Sequence, residues 1–189
     1  MVLIWLSVPA LGQLDTTRFR VWDEDAPLRW SDYTIDRERH EQKHGFAVQA
    51  ITSYQYFYVP RELHPDSCLN VLTTLRKRSS WMHDTIDGRL LEHERIHFDI
   101  AELYARKLRQ QFQRLDTSRT LKNIYLLVDS LFKAGDQRQR QYDEETFYGR
   151  SSGKQRQWRQ QVDNELKQLD EFSFENTCSR EKPRRSDSS

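Results

Sequence analysis

From about Asp84 to Leu115, apolar residues recur at intervals of three and four: Leu90, Ile96, Ile100, Leu103, Tyr104, Leu108 and Phe112. That spacing is one face of a long helix. Two histidines, His93 and His97, fall on the same stripe. A polar group on a buried stripe costs on the order of 2 kcal/mol or more unless it finds a partner. The chain must therefore supply this helix with both an apolar bed and a partner for its histidines.

Other segments show other periods. Residues 46–59 are rich in β-branched and aromatic side chains and read as one strand. Residues 69–81 alternate Val71, Thr73 and Leu75 against Leu72, Thr74 and Arg76, a second strand placed to pair antiparallel with the first. Residues 14–40 read as an irregular approach with short strands. Beyond the histidine helix, Thr117 or Ser118 can cap a helix through Ile124, Leu127, Val128 and Leu131. A further helix follows Ser151-Ser152-Gly153, with Trp158, Val162, Leu166 and Leu169 on one face. The expected fold class is α+β: a small antiparallel sheet, then an active-site helix and two supporting helices. The expected domain spans residues 13–172, with 173–189 a disordered polar tail.

Charge narrows the function classes. Thirty basic against twenty-nine acidic residues give a net charge of only +1, which argues against a nucleic-acid partner. No run of eighteen apolar residues is present, so no membrane span is expected. Residues 1–12 end in Ala10-Leu11-Gly12, small residues placed as before a signal-peptide cleavage point, although no Lys or Arg precedes Arg18. The expectation is a signal peptide and a secreted or periplasmic protein. Cys68 and Cys178 are the only cysteines, and form either one disulfide or two thiols.

The pattern H-E-x-x-H occurs twice, at His40–His44 and His93–His97. Its chemistry is geometric. Four residues along a helix return to the same face, so two imidazoles can share one Zn²⁺. The Glu after the first His then serves as general base for the metal-bound water. The first window has charged flanks and no apolar stripe, and reads as a solvated loop. The second lies on the stripe, giving His93 and His97 as metal ligands and Glu94 as base. A catalytic zinc takes three protein ligands, and Asp143 and Glu145 are candidates for the third.

Three stretches carry a resemblance: Leu90–Ala105, Tyr142–Gly149 followed by Gln155 and Trp158, and Leu28–Tyr33. Together they resemble a bacterial family of unknown function described as secreted zinc-dependent proteases. Arg95-Ile96 departs from that family's usual Gln-Gly, and Tyr148 stands at its usual His. The segment ending in Tyr148-Gly149 is also similar to the aspzincin metallopeptidases, where a carboxylate three residues before a Tyr-Gly pair binds the metal. That resemblance implies Glu145 as third zinc ligand and Tyr148 as oxyanion donor, with Asp143 as rival for the metal. It implies a zincin-like metallopeptidase acting on a peptide or protein substrate through a zinc-bound water, with Glu94 as base. The alternative is a catalytically degenerate domain that binds or structures the envelope. Asp99 and Glu102 are candidates to support the metal-bound histidines.

Overall fold

The computed structural model describes residues 14–43, 45–59, 70–83, 87–114 and 121–179. Residues 1–12, Cys68 and the Cys178 side chain lie outside them, so the signal-peptide and disulfide expectations do too. The strands, numbered in chain order, are β1 Phe19–Val21, β2 Thr34–Ile35, β3 Gln42–Lys43, β4 Phe46–Ala47, β5 Ala50–Ile51, β6 Tyr54–Val59, β7 Asn70–Arg76 and β8 Trp81–Met82. The helices are α1 Gly88–Gln113, α2 Leu121–Thr146, α3 Ser152–Gln168 and α4 Phe174–Ser179. The class is α+β, with three small sheets rather than one.

The stretch expected as one strand breaks into β4, β5 and β6. The cause is a change of partner. β5 pairs antiparallel with β8, while β6 pairs antiparallel with β7, Tyr54 opposite Leu75. Ser53 sits at the corner, where its amide donates to the Ser80 hydroxyl over 3.0 Å and its carbonyl accepts from Arg76 N at 2.7 Å. β1 joins the far side of β7, and β2 runs parallel to β8. The second sheet is therefore mixed, not antiparallel.

β7 is central in its sheet, and six of its seven residues are buried. α1 lies against it. Its N-terminus is capped by Asp87, whose carboxylate accepts from Arg89 N at 2.8 Å. Ile96, Ile100 and Leu103 pack with Tyr142 of α2 and Trp158 and Val162 of α3. Farther along, Ala105, Leu108 and Phe112 pack against Val71 of β7 and against Val128 and Phe132 of α2. The stripe read from the sequence is thus the seam of the whole domain. No helix of the described residues is long and apolar enough to cross a membrane.

Two elements exceed their sequence boundaries. α2 runs past Leu131, the last residue of its expected apolar stripe, to Thr146. The polar run after Leu131 hides this extension, since few apolar residues mark its inner face. Of the tail expected to be disordered from residue 173, the part up to residue 179 forms α4, and residues 180–189 lie outside the described residues. The Phe174 carbonyl accepts from Asn70 Nδ2 at 3.1 Å, and Ser173 and Thr177 are buried.

The side of α1 away from the histidines carries a buried ionic cluster. Glu102 Oε1 accepts from Arg109 Nη1 at 2.8 Å and Arg106 Nε at 3.2 Å. Its Oε2 accepts from the Thr73 hydroxyl at 2.7 Å. Arg109 also donates to the carbonyls of Val71 and Phe172, and Arg106 to that of Leu166. All three charged side chains are at most 2% exposed. The cluster joins α1 to β7, to the end of α3 and to the turn before α4.

Candidate metal centre

His93 and His97 project from one face of α1 toward α2, as their four-residue spacing requires. Their Nε2 atoms lie 3.1 Å apart. The carboxylate brought to them is that of Asp143: its Oδ1 is 3.2 Å from His93 Nε2 and 3.0 Å from His97 Nε2. These three residues form a group of donor atoms able to hold a metal ion.

Glu145, expected as the third ligand, is not brought to the pair. Its carboxylate accepts from Trp158 Nε1 at 2.9 Å and from Gln141 Nε2 at 2.8 Å. The reason lies in the length of α2. Both acidic residues are helical, and two positions along a helix turn a side chain by about 200°. With Asp143 facing α1, Glu145 must face away, toward α3.

Asp143 shares its face with Gln139, one turn earlier. Gln139 Oε1 lies 2.6 Å from His97 Nδ1, and its Nε2 donates to the His97 carbonyl at 2.9 Å. The supports expected for the histidines lie elsewhere. Asp99 accepts from Trp22 Nε1 and Arg159 Nη1, at 2.7 and 2.6 Å, and Glu102 belongs to the ionic cluster. Gln139 escaped sequence reasoning because a glutamine in a polar run has no motif. Its spacing of four before Asp143 was the available signal.

His93 is held by packing. Its ring stacks on that of Tyr142, centroids 4.6 Å apart and planes 24° from parallel. Gly149 lies against it. α2 ends in three consecutive residues with positive φ, Phe147 at 52°, Tyr148 at 55° and Gly149 at 80°. Left-handed backbone is unfavourable for bulky residues. Here the Tyr148 amide reaches back to the Asp143 carbonyl at 2.8 Å, and Ser151 N to Thr146 O at 2.8 Å, closing the helix end.

The electrostatics fit a donor cluster. Burial pushes the Asp143 carboxyl up, but hydrogen bonds from His93 and His97 outweigh it and hold Asp143 well below the usual carboxylate range. Burial lowers His93 against the opposing bond from Asp143. For His97 burial acts downward too, yet the Asp143 contact prevails and the ring is raised. Glu94 is 3% exposed, and its Oε2 is buried with no hydrogen-bond partner.

The cluster lies in a cleft of about 580 Å³. One wall is the segment Ala47–Thr52 with Tyr54; the other includes His93, Glu94, His97, Asp143 and Tyr148. β5, in that first wall, is an edge of its sheet. Arg95 is turned away from the centre, donating to the Leu28 carbonyl at 2.8 Å, and Ile96 is in the core. The first H-E-x-x-H window has no helix: His40 is exposed, residues 42–43 form β3, and His44 is outside the described residues.

No curated protein and no solved structure matches this chain. A family described as a bacterial protein of unknown function (DUF922) matches residues 69–149, from the start of β7 to the glycine over His93. That stretch is rather less than half of the sequence, yet it contains His93, Glu94, His97, Asp143 and Tyr148. Over it, this chain is similar to a bacterial family whose function is not known.

Proposed function

We propose that this protein is a zinc-dependent peptidase of the zincin type, with His93, His97 and Asp143 as metal ligands and Glu94 as general base. The carrying observation is the convergence of three donor atoms at 3.0, 3.1 and 3.2 Å from one another. Tetrahedral zinc with bonds of about 2.0–2.1 Å has ligand atoms about 3.3 Å apart. The triangle supplied by these residues is close to that size. Two imidazole nitrogens and a carboxylate oxygen are also a donor set that zinc accepts.

Zinc in such a site acts as a Lewis acid that polarises a carbonyl and makes water nucleophilic near neutral pH. The remaining work belongs to the chain. Glu94 opens on the same cleft, and its unpartnered Oε2 is available to take a proton from water and return it to a leaving amine. Tyr148 is carried into the cleft on left-handed backbone, and would donate to the oxyanion. Strain held in place beside a cleft fits a functional role. The edge of β5 favours an extended peptide as substrate, because an unpaired strand edge can pair with one.

The test is metal content followed by one substitution. Protein purified without chelators should carry about one zinc per chain and cleave members of a peptide library. Glu94→Gln should keep the zinc and lose cleavage by a factor of 10² or more. Protein that binds no zinc would overturn the reading. Zinc without cleavage of any peptide would leave a binding domain in place of an enzyme.

A further inference from the structure

We infer that Gln139 is the positioning residue that sets the tautomer and ring orientation of His97, so that the Nε2 lone pair faces the other two donors. The inference rests on the metal-site reading above, but concerns a residue outside both H-E-x-x-H and the acidic segment.

The argument starts from a group with a single option. The His97 carbonyl can only accept a hydrogen bond. Gln139 contacts it at 2.9 Å, so the atom there must be the amide nitrogen. The amide oxygen is then the atom 2.6 Å from His97 Nδ1. A carbonyl oxygen only accepts, so Nδ1 must carry a proton. A charged ring also donates from Nε2 to Asp143 Oδ1, but in the neutral ring that a metal binds this leaves Nε2 unprotonated, facing His93 Nε2 and Asp143 Oδ1. One side chain thus reads both the backbone and the ring of the same residue.

Two further observations fix the amide. It projects from α2 one turn before Asp143, so the element that supplies the carboxylate also orients the histidine. It also lines the same cleft as Tyr54 of β6, so the clamp sits beside the sheet wall. His93 is secured differently. Its Nδ1 is buried without a partner, and the ring depends on Tyr142 and Gly149 for its placement. The amide clamp therefore acts on one ligand only. Being uncharged, it orients that ligand without adding to the negative charge of the site.

The test uses the full chain with two variants, Gln139→Met and Gln139→Glu. Methionine keeps the length and loses both hydrogen bonds; glutamate keeps an acceptor for Nδ1–H. Zinc affinity, measured by competition with a chromophoric chelator, should fall 10- to 100-fold in Q139M. In Q139E it should return to within a few-fold of the wild type. In chelated protein at pH 9, long-range ¹H–¹⁵N NMR should show His97 as the Nδ1–H tautomer. Q139M should shift it toward Nε2–H.

A wild-type His97 in the Nε2–H form, or a Q139M variant with undiminished zinc affinity, would overturn the inference. So would an equal loss in Q139M and Q139E. A wild type that binds no zinc would instead remove the peptidase reading, and the tautomer measurement would still decide the role of Gln139.

Discussion

Gly149 lies directly on the imidazole of His93: a Cβ built on it would stand 3.1 Å from the ring Cγ and 3.2 Å from the histidine Cβ. Its φ of 80° separately disfavours any other residue. Gly149→Ala should therefore destabilise the chain by about 1–2 kcal/mol through the backbone. It should also weaken zinc binding by displacing the ring. Urea unfolding of chelated protein and zinc titration measure the two effects separately. An alanine variant with unchanged zinc affinity would show that the ring is placed without this contact.

Asp143 and Glu145 give opposite expectations despite their proximity in sequence. Asp143→Asn removes an anionic donor, and should reduce zinc affinity by about 10² or more. Glu145→Gln alters only an exposed carboxylate bonded to Trp158 and Gln141, and should leave affinity unchanged. Side-by-side titration of the two variants decides the third ligand.

Acid titration of metal-free protein supplies a third measurement. The Asp143 carboxyl is depressed in the folded state, so its stabilisation is present above its unfolded pKa, about 3.9, and is lost as pH falls. His97 is raised, so its stabilisation is present below about 6.5 and fades as pH rises through its folded value. The stability difference between wild type and Asp143→Asn should therefore be largest from about pH 4 to 6.5. It should shrink on either side. Chemical unfolding in chelator across pH 3–9 tests it, and a difference flat across that range would refute the pairing.

The buried ionic cluster predicts a loss of stability unrelated to metal. Glu102→Ala leaves Arg106 and Arg109 in the interior without their shared carboxylate. Removal of one partner from such a group costs about 3–5 kcal/mol. The denaturation midpoint should fall accordingly, whereas replacement of the exposed Glu144 should change it little.

The legible parts of this molecule were those with a period. The stripe from Leu90 to Phe112 located α1, and the four-residue spacing placed His93 and His97 on a common face. The acidic segment was visible, but the choice within it was not. It depends on whether α2 extends past residue 143, and Lys133–Thr146 contains too few apolar residues to mark a helical face. The 46–59 stretch carried strand propensity throughout, but propensity does not reveal a change of partner at Ser53. Gln139 acts through a single amide, and an amide leaves no pattern in a sequence.

The position of α1 also determines how the centre comes apart. β6 and β7 lie along one side of this helix and α2 and α3 along others, with Ile96, Ile100, Leu103, Ala105 and Leu108 fully enclosed. Amides in that stretch should be among the slowest of the domain to exchange with solvent. His97 sits within that stretch, and His93 lies one turn before it. An ion at the proposed centre would be released by retreat of the C-terminal turn of α2 alone, a local event. The proposed centre would then lose its ion at a rate distinct from that of unfolding.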